Sequence, residues 1–469
     1  MCVSLACGTV AGWWLWPRQR VADSALRTSV PAMERVAREV ATAARRADAL
    51  GAMQPISEKL PSEPPGVKFP WRPPEQPQED AIPDFSGIAV ELLRVRQIQS
   101  LPLATIEVPR DEVRQRMQRW LATQFPGDYG VREGRALAAL GAIPSPVDTT
   151  VFRAAFWSHQ IGAWLNEQEE TVALVEQEDD SNARENALGL AFTQLFREQG
   201  ARLFSAGEKP SGSDAWQARL GLMAGDASLT RLRHALAHPR SGGGGGVGED
   251  PGDPSREISL PPFLRERDLA AFGVGLDFIG SLHALGGFEQ VDAAYGRPPV
   301  ASIELLEPSL YLAETQFQVE SANWSDVTVN GSAPLWDDTF GAIALILFLQ
   351  QHVPQPLAAE CATRWRGDRL LAYAAKSGPR DHAAWQTFWQ DKNAADAFFV
   401  AMQEALRSRY RGAVEDKSAP RGMLKLDGPD RFVLLTRTNG GRGVFYADAA
   451  DGSFAKALRV KFVPDFQEK

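Results

Sequence analysis

The chain has 469 residues, with 50 Lys and Arg against 59 Asp and Glu, a net charge of −9. An acidic balance argues against general nucleic-acid binding, which needs a basic field. Three cysteines (Cys2, Cys7 and Cys361) exclude a disulfide framework and a cysteine-rich zinc module, while six histidines leave a histidine-based metal site open on number alone.

Residues 1–20 open with sixteen uncharged positions that include Trp13, Trp14 and Trp16, followed by Arg18 and Arg20. The run is short for a spanning helix of about 20 residues. It fits a membrane anchor with an interfacial tryptophan belt, an incomplete start, or a frayed apolar end, and all three stay open. Membrane association through this segment, and an extracytoplasmic location, are the corresponding expectations. Residues 21–86 hold a helix near 30–50 and then nine prolines between positions 55 and 83. That density suits an extended spacer rather than a packed element.

Patterned sequence begins near Ile88. Helices are expected over residues 111–125, 151–164, 182–204, 214–238, 269–284, 289–295, 339–352 and 383–410, from apolar residues recurring at 3.6-residue spacing. Val113, Met117, Trp120, Leu121 and Phe125 show that spacing, with Asp111 and Glu112 placed in the first turn for the dipole. Residues 171–176 read as a strand. Residues 432–436 and 444–446 flank Asn439-Gly440-Gly441 as a β-hairpin. Five consecutive glycines lie within a loop at 241–255. The fold class is therefore mostly α with minor β. Expected units are 1–20, 21–86, 87–411 carrying the glycine loop, and a β-rich extension at 412–469.

Eight segments between positions 90 and 411 together resemble a bacterial family of gluzincin-type zinc metallopeptidases, largely extracytoplasmic. They are residues 137–144, 160–164, 195–199, 219–228, 286–299, 338–341, 364–369 and 389–391. The resemblance implies a helical metallopeptidase-like unit. In that family H-E-x-x-H on one helix and a glutamate on a second helix bind zinc, and the motif's glutamate activates water. Counting back from Gln199, the motif falls on Leu190, Ala191, Phe192, Thr193 and Gln194, and the third ligand falls on Ala224. Both histidines, the base and the third ligand are replaced. Without a metal there is no Lewis acid and no activated water. The family's aromatic after position 164 is Leu165, and a glutamate and a histidine further on are Ile303 and Glu307.

The resemblance thus implies a catalytically inactive metallopeptidase-like protein. It would need no cofactor and would bind or scaffold an unidentified protein or peptide at a cell envelope through the old substrate cleft. Trp164, Thr193, Gln199, Asp226 and Glu307 are the expected cleft residues. Two alternatives stand beside it: a purely structural envelope protein, and an active enzyme with a relocated site at His234 and His238. Those two histidines have the i, i+4 spacing of a metal pair, with Ala235 where a base would stand. They also sit at a helix end, where they suit the dipole. Asp226 and Asp368 are expected to brace helices. The glycines at 273, 275 and 280 are expected to permit close helix packing. Trp365, Trp385 and Trp389 are expected in the core, on the last helices.

Overall fold

The computed structural model describes residues 85–463 except 167–169, 177–180, 205–211, 239–260, 314 and 377–379. The chain divides into two units, Met1–Asp84 and Phe85–Lys469. The expected anchor, the expected helix near 30–50, the proline spacer and the glycine loop lie outside the described residues.

The second unit is α+β, with a C-terminal antiparallel sheet. Helix α1 (Phe85–Arg96) leads to strand β1 (Ala104–Val108) and then to α2 (Arg110–Gln124), α3 (Tyr129–Leu140) and α4 (Thr149–Gln160). The apolar stripe of α2 is buried as its spacing requires, through Val113, Met117, Trp120 and Leu121. Asp148 starts α4 by accepting the Thr150 and Val151 N–H groups at 2.9 and 3.2 Å. Strands β2 (Ala163–Asn166) and β3 (Thr171–Val175) complete a three-stranded sheet of order β1-β3-β2. The expected helix over 151–164 therefore ends early, and Trp164 lies on a strand.

Helix α5 (Ser181–Leu195) runs into a π-helical turn, Phe196–Gly200. Helix α6 (Ser213–Ala237) packs along α7 (Pro262–Gly296). Glycine is required at this crossing. A Cβ on Gly275 would lie 2.1 Å from the Gly221 carbonyl oxygen, and one on Gly225 would lie 2.2 Å from the Gly275 carbonyl oxygen. Of the glycines expected to permit close packing, Gly275 does so, whereas a Cβ on Gly280 would meet nothing within 4 Å. The two helices expected at 269–284 and 289–295 meet at Gly286 and Gly287, where the backbone leaves helical geometry. By length and composition α7 is long and apolar enough to cross a membrane, with 28% of its most apolar window buried inside the protein.

After α8 (Ser302–Leu306) comes the larger sheet, of order β4-β5-β6-β10-β9-β8-β7. Its strands are β4 (Trp336–Asp338), β5 (Trp365–Tyr373), β6 (His382–Trp389), β7 (Val414–Glu415), β8 (Met423–Asp427), β9 (Phe432–Thr438) and β10 (Gly443–Ala449). Helices α9 (Ala342–Leu349), α10 (Gln355–Thr363), α11 (Lys392–Arg409) and α12 (Gly452–Phe462) are interleaved with it. The β9–β10 hairpin forms as expected, but β10 also pairs with β6. The expected border at 411/412 therefore falls inside one sheet.

Residues 382–389 are a strand rather than the start of a helix. The reason is burial on both faces. Trp365, Leu370, Trp385, Trp389, Val444 and Tyr446 point into the main core, while Leu371, Tyr373, Ala384, Phe445 and Ala447 point into a second core closed by Phe454, Leu458 and Phe462 of α12. A strand buried on both faces shows no polar alternation. Trp365, Trp385 and Trp389 are core residues, fully buried, but they stand on strands.

Candidate functional site

Helices α5 and α6, which carry the positions of the resembled zinc motif, pack against each other. Leu190, Ala191 and Ala224 are buried, with Ala224 wholly inaccessible. Helix α1 closes the space beside α5. Its Ala89, Leu92, Leu93 and Arg96 face Leu190, Ala191 and Gln194, with Thr230 of α6 behind. The cavity left among them is about 10 Å3, room for one water at most. Gln194 donates to the Ser100 hydroxyl at 3.1 Å and to Glu198 at 3.2 Å. Thr193 donates to the Gly189 carbonyl of its own helix.

Beside this packing lies a buried ion pair. Arg96 Nε donates to both oxygens of Asp226 at 2.8 and 3.0 Å, and Nη2 donates to Asp226 at 2.9 Å. The Tyr295 hydroxyl donates to the same carboxylate at 3.1 Å. Arg96 also reaches the half-exposed Asp292, which accepts from Gln199 at 2.8 Å. Burial works against the Arg96 charge, but Asp226 and Asp292 outweigh it and raise its pKa above the ordinary arginine value.

The expected cleft is therefore not present where its residues stand. Trp164 is buried against Trp120 and Phe196, with ring centroids at 5.1 and 5.6 Å. Thr193 and Asp226 are buried, and Gln199 holds Asp292. Glu307 is partly buried at the end of α8, and burial raises its pKa. Around residues 190–194 the physical reason is α1, whose apolar residues fill the space beside α5, whereas Trp164 is covered by α2 and the π-helical turn.

An open cavity of about 450 Å3 lies elsewhere, where the helical part meets β4, within the roughly 300–1,000 Å3 typical of small-ligand sites. Phe125, Tyr129, Trp216 and Trp336 line it, with Asp337, Asp338 and Arg132. Tyr129 lies between Phe125 and Trp336, at 4.6 and 4.9 Å between centroids. Asp337 is held by Arg369 at 2.7 Å. Asp338 accepts the Ser213 N–H at 3.1 Å and the Thr339 N–H at 2.8 Å, yet burial still pushes it up to about 7.

Two further carboxylates brace the chain around Phe340 and Gly341. Asp368 accepts the Phe340 and Gly341 N–H groups at 2.7 and 3.0 Å and the Trp365 indole N–H at 3.0 Å. Burial nonetheless raises it to about 6. Asp214 accepts the Ser302 N–H at 3.2 Å, and burial raises it to about 7. Gly341 has a φ of 90°, and a Cβ there would meet the Asp214 carboxylate at 1.9 Å. Glu133, also buried, is the opposite case. Burial alone would raise it, but Arg153 and Arg267, each at 3.0 Å, hold it down to about 2. Bracing is thus the role the geometry gives Asp226 and Asp368. Cys361 is buried, with its thiol pushed up to about 12, which makes it no nucleophile at neutral pH.

One group of metal-type donors occurs among the described residues. Glu91 of α1 lies beside His234 and His238 at the end of α6, and the three donor atoms are within 4.8 Å of one another. Glu91 was not singled out by sequence reasoning. It stands 143 residues from His234, and no local spacing joins them. The cavity aromatics Tyr129, Trp216 and Trp336 were likewise missed, because helix ends and an edge strand far apart in sequence bring them together.

Residues 333–459 match a domain family of unknown function, DUF8575. No curated protein matches the chain, and no solved structure does. The matched segment begins just before β4 and ends in α12, so it contains the large sheet and the β4 wall of the cavity.

Proposed function

We propose that this protein is a catalytically inactive relative of gluzincin-type metallopeptidases that binds a protein or peptide at a bacterial cell envelope. The observation that carries this reading is the packing at the motif positions. Apolar side chains of α1 and α5 fill the space, and the charged pair next to it is Arg96 with Asp226 rather than a set of ligands. Loss of every ligand together, inside helices that still pack against each other, fits a scaffold kept for binding. The ligand chemistry follows from the 450 Å3 cavity. Aromatic faces favour a cationic group, and Asp338 adds an unpaired negative charge once pH rises above about 7, so the ligand is a peptide presenting a lysine or arginine side chain, bound more tightly above that pH. The apolar residues 1–20 would hold the protein at the membrane.

Titrating lysine- and arginine-containing peptides while following tryptophan fluorescence tests this reading. Saturable binding that Trp336→Ala and Asp338→Asn weaken supports it. Indifference to peptide charge, or binding unchanged in both variants, contradicts it.

The relocated-site alternative has one observation in its favour, the approach of Glu91 to His234 and His238. Among the described residues no fourth metal-type donor joins those three. A hydrolytic site needs a base as well as ligands.

A further inference from the structure

We propose that Glu91, His234 and His238 form a binding site for one divalent transition-metal ion of the zinc class, which clamps α1 to the C-terminal end of α6. Histidines four apart lie on one helical face, and here the two imidazoles are 4.9 Å apart between ring centroids. A carboxylate arrives from a different helix, as a third ligand must. Its oxygen lies 2.8 Å from His234 Nε2 and 3.7 Å from His238 Nε2. Ligands at about 2.0–2.1 Å from a tetrahedral zinc stand about 3.3 Å from one another, so the two observed separations straddle the required value. The same ring atom, Nε2, faces the carboxylate in both histidines.

A hydrogen-bonded His–Glu pair explains the 2.8 Å contact, but 3.7 Å is too long for a hydrogen bond. His238 is the residue that turns the pair into a ligand set. His234 is buried, while Glu91 and His238 are partly exposed. An ion can therefore enter, and water can complete its coordination. Two imidazoles and a carboxylate suit zinc, cobalt and nickel better than the hard cations magnesium and calcium.

The consequence lies in α1. The helix that presents Glu91 also presents Leu92, Leu93 and Arg96, the side chains that fill the space against α5. An ion held by Glu91 on α1 and two histidines on α6 cross-links the filling helix to the scaffold.

The test uses untagged full-length protein stripped with a chelator. Zinc titrated by calorimetry is expected to bind at one equivalent. His238→Gln and Glu91→Gln, both at partly exposed positions, are each expected to weaken binding by at least about tenfold. Their far-ultraviolet dichroism and metal-free melting temperatures should match the parent. Zinc is also expected to slow amide exchange across residues 85–96 in the parent and not in His238→Gln. Magnesium should produce neither effect. The inference is overturned if the parent takes up no zinc at millimolar concentration, if both variants bind zinc as tightly as the parent, or if zinc binds without slowing exchange in α1. These outcomes are independent of peptide binding at the Trp336 cavity.

Discussion

Asp226→Leu removes the acceptor for three Arg96 hydrogen bonds and one from Tyr295. The Arg96 guanidinium stays inside the protein with only the half-exposed Asp292 to balance it. Breaking a buried pair in this way costs about 3–5 kcal/mol, against a total stability of about 5–15 kcal/mol. Arg96→Met leaves Asp226 buried with a single hydrogen bond and should cost about 3 kcal/mol, less at acid pH where the carboxyl takes up a proton. The double variant replaces both charges with apolar groups beside an already apolar wall. It should therefore be more stable than either single variant, with a coupling of at least about 2 kcal/mol. Urea unfolding followed by circular dichroism measures all three. Single-variant losses below about 1 kcal/mol, or losses that simply add, would refute the placement of a desolvated ion pair beside Leu190 and Gln194.

Stability should also depend on pH with a definite sign. Asp214 and Asp338 are raised to about 7 and Asp368 to about 6, so the folded state holds protons that the unfolded chain releases near pH 4. Unfolding free energy therefore falls as pH rises from about 4 to about 7, by at most about 1.4 kcal/mol per pH unit per group, and levels off above. Asp338→Asn should flatten that slope in thermal melts across pH. Below about pH 4 the trend reverses, because Glu133 is held at about 2 and its stabilising charge is lost as pH falls. A melting temperature that climbs steadily from pH 5 to 8 would contradict these assignments. Gly275→Val should cost about 3 kcal/mol or prevent folding by forcing α6 and α7 apart, whereas Gly280→Ala, with nothing within 4 Å of the new methyl group, should be neutral or slightly stabilising. Chemical denaturation separates the two.

Much of the helical architecture is legible in the sequence, because α2, α5 and α6 carry amphipathic spacing or clear end signals. The break between the two halves of α7 is legible for the same reason, since Gly286 and Gly287 interrupt the pattern. Strand β6 is not. Its buried His382, Gln386 and Thr387 leave no period-two alternation of apolar and polar residues, and the adjacent alanines bias the segment toward helix. Residues 190–194 and 224 lie on two helices that pack against each other, yet their surroundings depend on α1. Nothing in the local sequence of α1 announces that Leu92, Leu93 and Arg96 turn toward α5. The cavity has the same character. Phe125 ends a helix, Tyr129 begins the next, Trp216 begins a third and Trp336 opens an edge strand. Each is ordinary alone, and only the tertiary fold makes them one surface.

The central claim is that this protein binds rather than cuts. Mass spectrometry of a mixed peptide library, incubated with the protein in saturating zinc, tests it most directly. The account predicts no cleavage above that of buffer with zinc, even when Glu91, His234 and His238 hold an ion. Cleavage that a chelator abolishes and His234→Gln removes would contradict it and establish a relocated catalytic centre.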